Sequence, residues 1–250
     1  MYLEHLVPTS LAAIFSPGCL VKKLQHPDLV SFGLLANLHR LAARGVFEDV
    51  DAIVDVGANI GQFAFMAHTA LPSLPIYSFE PDPSCFAGLQ RTFVDHHIEG
   101  RCIPLAVSSK EGIVNLNVYQ STANNSMLQR KGESAVHVHQ VRCATLDALL
   151  NDELSSLSTP FLKIDVQGGE LSVLAGATEF LKRCRYVMLE TPLVASYEGS
   201  ADVAQIMSFM HSTGFACWEI VDVLRKRKPD ELGILEMDLL FVRKGAHHAG

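Results

Sequence analysis

Asp55-Val56-Gly57-Ala58-Asn59-Ile60-Gly61 follows the apolar run Ala52-Ile53-Val54 and opens onto Gln62-Phe63-Ala64-Phe65-Met66-Ala67. A strand, a tight glycine turn and a helix start, in that order, make a place for a nucleotide-like ligand. On this reading Gly57 takes backbone angles closed to other residues and leaves room for the ligand, while Gly61 lets the helix start press close to the sheet. The spacing Gly-x-Asn-x-Gly puts Asn59 and Gln62 where the dinucleotide fingerprint has its second and third glycines. That counts against a pyrophosphate and for a smaller ligand.

The next apolar stretch, Ile76-Tyr77-Ser78-Phe79, ends in Glu80-Pro81-Asp82-Pro83. Glu80 stands roughly twenty residues beyond the glycine turn, where a carboxylate accepts two hydrogen bonds from a ribose diol. Pro81 and Pro83 stiffen the turn, and Pro83 suits the first position of a helix. The bland reading of Glu80 is a strand end at the surface.

Outward from these two segments, strands and helices alternate. Ala52 to Val56, Ile76 to Glu80, Cys102 to Val107, Phe161 to Asp165, Tyr186 to Glu190, Phe215 to Val221 and Asp238 to Val242 read as strands. Helices are expected from Gly61, over Ser84 to His96, Leu146 to Leu150, Glu170 to Leu181 and Asp202 to Ser212. The result is an α/β domain with a seven-stranded, mostly parallel sheet covered on both faces. Gly112 to Tyr119 and Ala135 to Val141 alternate apolar with polar residues, which predicts an inserted antiparallel strand pair, and the polar stretch Ser121 to Glu133 between them reads as a flexible substrate loop. Leu29, Val30, Phe32, Leu34, Leu35, Leu38 and Leu41 predict a helix from Pro27 to Arg44 that lids or flanks the sheet. The expected organisation is an N-terminal helical extension over 1–45, one domain over 46–244 and a tail over 245–250.

The 250 residues are 48% hydrophobic with a net charge of −7, enough to bury a sizeable core and without the basic excess of a nucleic-acid binder. Arg225-Lys226-Arg227-Lys228 reads as a solvated loop or hairpin tip. Cys19, Cys85, Cys102, Cys143, Cys184 and Cys217 are scattered, and read as buried thiols of a reducing compartment. No apolar segment approaches spanning length, Leu11 to Phe15 lacks the basic lead of a signal peptide, and a cytoplasmic location is expected. Nothing requires a metal: His96-His97 and His247-His248 are adjacent pairs, without the spacing that turns two imidazoles toward one ion.

Asp55 to Gly61, Phe79-Glu80-Pro81, Leu146-Asp147, Lys163-Ile164-Asp165-Val166-Gln167-Gly168-Gly169-Glu170 and Leu174-Ala175-Gly176-Ala177, in this order, resemble the FkbM-type methyltransferases. The resemblance runs from about Val46 to Val242. It implies the Rossmann-like class I methyltransferase sheet with its last strand antiparallel, S-adenosylmethionine as cofactor, and O-methylation of a hydroxyl on a sugar, glycan or natural product. It further implies that amides from Gly57 through Ala58, Asn59 and Ile60 to Gly61 hold the amino-acid end of the cofactor and that Asp55 orients the turn. Glu80, followed by Pro81, binds the ribose, and Ala106 and Val107 border the adenine. Gln167 departs from the family, which often has glutamate there. Met1 to Gly45 matches no family motif.

Methyl transfer asks for alignment of an oxygen with an already activated methyl group and for a proton acceptor. Asp165, at a strand end beside the glycine pair, is the first choice of base; its bland alternative is to cap the helix beginning near Gly169. Glu190 is second and His137, alternating with His139 on the inserted pair, third. Lys163 is expected along its strand below the site, and Asn124, Asn125 and Ser126 either recognise substrate or make turns. A nicotinamide-dependent oxidoreductase and a catalytically silent scaffold with the same sheet are the competing readings.

Overall fold

The computed structural model describes residues 27–225 and 233–245. Met1 to His26, with Leu11 to Phe15 and Cys19, most of the basic run at Lys226 to Lys228, and the tail with His247 and His248 lie outside the described residues. The strands of the main sheet are β1 (Ile53–Val56), β2 (Ile76–Phe79), β3 (Gly100–Ile103), β7 (Phe161–Ile164), β8 (Tyr186–Pro192), β9 (Phe215–Arg225) and β10 (Ile234–Arg243). They lie in the order β3-β2-β1-β7-β8-β10-β9. The first five are parallel, and β10 slots antiparallel between β8 and β9. From β1 the chain builds outward to β3, then returns to the other side of β1 with β7. The strand order reverses there, where open α/β sheets bind ligands.

Alternate residues of β1 feed opposite cores, since a strand's side chains point to alternate faces. Val54 and Val56 join Leu162, Ile164, Val187 and Leu189, while Ile53 joins Ile76, Phe161, Met188 and Leu240. The second face is covered by α1 (Phe32–Ala43), α2 (Gln62–Ala70) and α3 (Pro83–Asp95). The first is covered by α4 (Leu146–Leu149), α5 (Glu170–Ala175), α6 (Thr178–Arg183) and α7 (Val203–Ser212). Helix α1 flanks the sheet and does not lid it: it packs on α2 and β9, and Arg40 and Arg44 both pair with Glu219.

Two elements differ from expectation for local reasons. The strand expected from Cys102 to Val107 divides at Pro104, which has no N–H to give a ladder. Its first part is β3; its second, β4 (Ala106–Val107), pairs in parallel with β6 (His137–Ala144). The inserted antiparallel pair of β5 (Gly112–Val118) and β6 is thus extended to a sheet of order β4-β6-β5. The single helix expected from Glu170 to Leu181 breaks into α5 and α6 because Asp147 caps a second start, accepting from Glu179 N at 3.0 Å, Phe180 N at 2.8 Å and Thr178 Oγ1 at 3.0 Å. Cys85, Cys143 and Cys184 are buried and Cys102 is half-buried, but Cys217, on the edge strand β9, is exposed. Among the described residues no helix is long and apolar enough to cross a membrane.

Candidate active site

The carboxyl ends of β1, β2, β7 and β8 open into a cleft of about 500 Å³, roofed by the segment 121–127. Gly57, Asn59, Ile60, Glu80, Pro81, Ala106, Val107, Asp165 and Glu190 line it; Asp55, Ala58, Gly61 and His137 do not. His137 is exposed and sits opposite Val118, with its ring 6.4 Å from that of His139.

The glycine turn satisfies itself. Phe79 O accepts from both Gly57 N and Ala58 N at 3.0 Å, and Gly61 N donates to Ala58 O at 2.9 Å. Asn59 N donates to Glu80 Oε2, and Ile60 N to Asn59 Oδ1, each at 2.8 Å. The five amides expected to hold the amino-acid end of a cofactor are therefore occupied within the chain. Gly57 does have positive φ, +84°, yet a Cβ there would meet Asp165 O at 1.8 Å, so the missing side chain makes room for β7 and not for a ligand. Likewise a Cβ on Gly61 would meet Leu89 Cδ1 at 3.0 Å, so this glycine admits α3 and not the sheet. Asp55, wholly buried, faces across the sheet to Ser78 Oγ at 3.3 Å and Lys163 Nζ at 3.2 Å, its register neighbours on β2 and β7, and does not reach the turn.

Glu80 is buried where the turn meets α3. One carboxylate oxygen takes Asn59 N and the other Asp82 N at 2.8 Å, which leaves each a further lone pair. Burial pushes its carboxyl up to about 7, against the pull of those two backbone bonds. Asp82 caps α3 through Ser84 N and Cys85 N, with Pro83 in the first turn, so the helix start fixes Glu80 from behind. Phe79, Leu105, Ala106 and Val107 give the cleft an apolar wall beside it.

At the opposite end stands a carboxylate pair. Lys163, 7% exposed, bridges Asp55 Oδ1 and Asp165 Oδ2 at 3.2 and 3.3 Å, so it belongs to the electrostatics of the site. Asp165 Oδ1 accepts from Gln167 Nε2 at 3.0 Å, and the same nitrogen reaches Glu190 Oε2 at 2.6 Å. Burial pushes Asp165 up, but Lys163 and the hydrogen bonds from Gln167 and Glu190 outweigh it, and the carboxyl lies below its ordinary range. Glu190 is raised well above its ordinary value, first by burial and then by the charge of Asp165. The register continues the acidic row outward, Glu190 opposite Asp238 and Asp238 opposite Asp222. Asp165 does not cap α5: Gly169 is the cap position, and Glu170 Oε1 takes Val166 N and Gly168 N at 3.2 and 3.0 Å.

Two residues without a sequence signal complete the site. Tyr197, from the irregular segment between β8 and α7, has its hydroxyl in reach of two acceptors, Asn124 O at 2.9 Å and Gln167 Oε1 at 3.1 Å, which share its one proton. Arg130 pairs with Glu133 and forms an isolated bridge with Tyr197. The polar loop expected to be flexible is thereby tied down: Lys131 N donates to Ser196 O at 2.9 Å, Glu198 N to Gln129 O at 2.8 Å, and Ser126 Oγ to Gln167 O at 2.7 Å. Asn125 Oδ1 accepts from Tyr119 N at 3.0 Å, while its buried Nδ2 has no protein partner. Among the described residues no group of three or more His, Cys, Asp and Glu is placed to hold a metal ion.

The strand-order reversal at β1, with helices on both faces, defines the doubly wound α/β class. Within that class the chain belongs to the FkbM methyltransferase family, whose Methyltransferase FkbM domain matches residues 55–217. It is 28% identical over 193 residues to the 31-O-demethyl-FK506 methyltransferase FkbM of Streptomyces tacrolimicus, covering 66% of this chain and 72% of that protein. With the hexuronic acid methyltransferase AglP of Haloferax volcanii it shares 30% identity over 152 residues, 57% of this chain and 56% of that one. The crystal structure of TehB from Haemophilus influenzae has the same fold at a TM-score of 0.50 and 9% identity, over 89% of this chain and 66% of that one.

Proposed function

We propose that this protein transfers a methyl group from S-adenosylmethionine to a hydroxyl of a sugar, glycan or other small natural product. The observation that carries the reading is the single cleft joining Glu80 at one end to the Asp165 and Glu190 pair at the other. Relatives named for a hydroxyl of FK506 and for a hexuronic acid support the acceptor class. The residues fit the cofactor: Glu80 keeps a lone pair on each oxygen for a ribose diol, and Phe79, Leu105, Ala106 and Val107 offer an apolar face to adenine. With the turn's amides occupied, Asn59 Nδ2 and the buried Asn125 Nδ2, both on residues lining the cleft, are donors open to an amino-acid carboxylate. The turn's spacing, with Asn59 and Gln62 where a dinucleotide fingerprint has glycines, argues against a nicotinamide dinucleotide. When bound, the cofactor supplies an electrophilic methyl group on a sulfonium. Glu190 then accepts the hydroxyl proton, its proton affinity being raised by burial and by the charge of Asp165 while that of Asp165 is lowered. Asp165 keeps a fixed negative charge beside it, held by Lys163. On this proposal Glu190 comes before Asp165 as the base, where the sequence alone puts Asp165 first.

Calorimetry with S-adenosylmethionine and with NADH tests the reading; binding of the nicotinamide alone, or of neither, would reject it. Affinity for S-adenosylmethionine should weaken up to about tenfold from pH 8 to pH 6, as Glu80 takes up a proton and the ionised fraction falls. Glu80→Gln should bind at least about tenfold more weakly, by the loss of roughly 1.5–3 kcal/mol from bonds to a charged group, and should abolish that pH slope. A flat profile in the wild type, with unchanged affinity in the variant, would take Glu80 out of the site.

Asp165→Asn should lower methyl transfer about a hundredfold to a thousandfold, the usual loss for one preorganised electrostatic partner. It should also move the acid limb of the rate profile to lower pH, because Glu190 ionises more readily without a neighbouring anion. An unchanged limb in single-turnover assays would mean that Asp165 does not act through Glu190.

A further inference from the structure

The parallel strands and the arm formed by β8, β10 and β9 end at different heights. Strands β1, β2 and β7 have 4 residues each, whereas β8 has 7, β10 has 10 and β9 has 11. Ile164, the last residue of β7, is level with Leu189, and β8 runs on through Glu190 and Thr191 to Pro192. The arm therefore continues past the carboxyl end of β7 as a ledge beside the cleft. Residues directly opposite one another, or two apart along a strand, share a face of a sheet. One face of the ledge thus carries an inner row of Glu190, Asp238 and Asp222 and an outer row of Pro192, Glu236 and Leu224.

The outer row is apolar on both sides of its one acid. Pro192, Leu224 and Leu235 line the main cleft, and Leu224 also lines a smaller cavity of about 210 Å³ that shares Glu190 and Glu236 with it. Leu193 N and Val194 N both donate to Leu235 O, at 2.8 and 3.2 Å, so the chain leaving β8 stays against this end of β10. Leu193, Val194 and Leu224 are 41%, 47% and 51% exposed. Single exposed apolar side chains are ordinary on a protein surface. These three gather round a cleft whose proposed base stands only two residues, roughly 7 Å along the strand, from the outer row.

We propose that the acceptor carries its reactive hydroxyl on an apolar carbon skeleton, and that Pro192, Leu224 and Leu235 select it. The inference deepens the methyltransferase reading and rests on it. A hydroxyl that reaches Glu190 brings the atoms next to it over the outer row, where Glu236 is the one polar side chain. A skeleton hydroxylated at every carbon would give up water at several hydroxyls there and find partners for few of them, at a cost for each one left unpaired. Apolar carbons gain by leaving water, and they cover side chains that are exposed in the free protein. Continuity of the rim with the cleft decides the occupant. Leu224 and Glu236 belong to both cavities, so a molecule seated for transfer at Glu190 lies against the rim as well.

The test uses simple alcohols as probes and needs no turnover. The full chain, labelled at its Leu and Val methyl groups, is titrated by NMR with myo-inositol, cyclohexanol and decahydronaphthol. The first two share one carbon ring and differ in how many of its carbons bear a hydroxyl; the third enlarges the apolar part. Cyclohexanol should bind at least about tenfold more tightly than myo-inositol, and decahydronaphthol at least about tenfold more tightly again, since each methylene buried on the rim is worth about fourfold. The signals of Leu224 and Leu235, assigned as those missing in Leu224→Ser and Leu235→Ser, should move. Leu224→Ser should weaken decahydronaphthol about tenfold. Ile220→Ser, which removes another exposed apolar side chain of β9 that lines neither cavity, should leave that affinity unchanged. Inositol binding as tightly as cyclohexanol would overturn the proposal, as would no binding of decahydronaphthol or equal losses in the two serine variants. Shifts of the same signals on diluting the protein, or on adding phosphatidylcholine vesicles, without a response to the alcohols, would give the rim to a second copy or to a bilayer and overturn it too. Thermal unfolding of each variant separates a lost contact from a lost fold. Calorimetric binding of S-adenosylmethionine is scored separately, so failure of the methyltransferase reading and failure of this one give different results.

Discussion

Glu190→Gln is expected to cut single-turnover methyl transfer by about a hundredfold to ten-thousandfold, the range that a positioned general base contributes. The amide keeps the shape of the side chain, and with it most of the contact to Gln167 Nε2, yet it cannot take the hydroxyl proton. Affinity for S-adenosylmethionine should change little, because Glu80 is at the other end of the cleft. The acid limb of the rate profile should disappear, since the group that titrates has been removed. The variant should be at least as stable as the wild type at neutral pH. A carboxyl whose folded value lies above its unfolded one loses stability as pH rises from the unfolded value through the folded one, and glutamine has no charge to bury. The measurement is transfer of a labelled methyl group to an acceptor found by screening cell extract, with unfolding followed on the same preparation. Residual transfer within tenfold of wild type, with the acid limb still present, would return the base to Asp165.

The second large effect is structural. Gly57→Ala should destabilise the protein by roughly 4 kcal/mol or more, a size seldom reached by single substitutions and tied to identifiable clashes. Alanine at φ +84° is strained, and its Cβ would lie 1.8 Å from the Asp165 carbonyl oxygen, a backbone atom that no rotamer change can move. Relief requires β1 and β7 to part at the point where the site is built. Gly132 provides the control: its φ is +74° with nothing within 4 Å of an added Cβ. Gly132→Ala should therefore show only the backbone term, about 1–2 kcal/mol. Chemical denaturation of both variants measures the difference, and equal losses would mean that the contact with Asp165 is of no consequence.

What could be read from the sequence was local. The glycine turn, the acid after β2 and the helix start at Pro83 are written in neighbouring residues, and strand and helix periodicities gave the sheet its outline. Glycine chemistry told where the turn is but not what presses on it, because Asp165 is more than a hundred residues further along the chain. The same distance hid the way Lys163 ties Asp55 to Asp165, and the crossing from β7 to β8 hid the way Gln167 ties Asp165 to Glu190. Tyr197 lies in a stretch without periodicity, so no pattern could have singled it out. The break between α5 and α6 depends on Asp147 reaching across from α4, and the division of β3 from β4 on Pro104 together with a partner strand forty residues away.

The closed hydrogen bonding of the turn bears on how such a site changes over generations. Its five amides are spent on Phe79, Glu80, Asn59 and Ala58, so the loop keeps its form whether or not anything lies against it. Ligand preference is then written in exchangeable side chains, Gln62 beside the turn and Thr122 with its neighbours in the roof. Substitutions there can alter what is held while the fold is left standing. A backbone-coordinating loop offers no such latitude, since each of its contacts is also part of its own conformation.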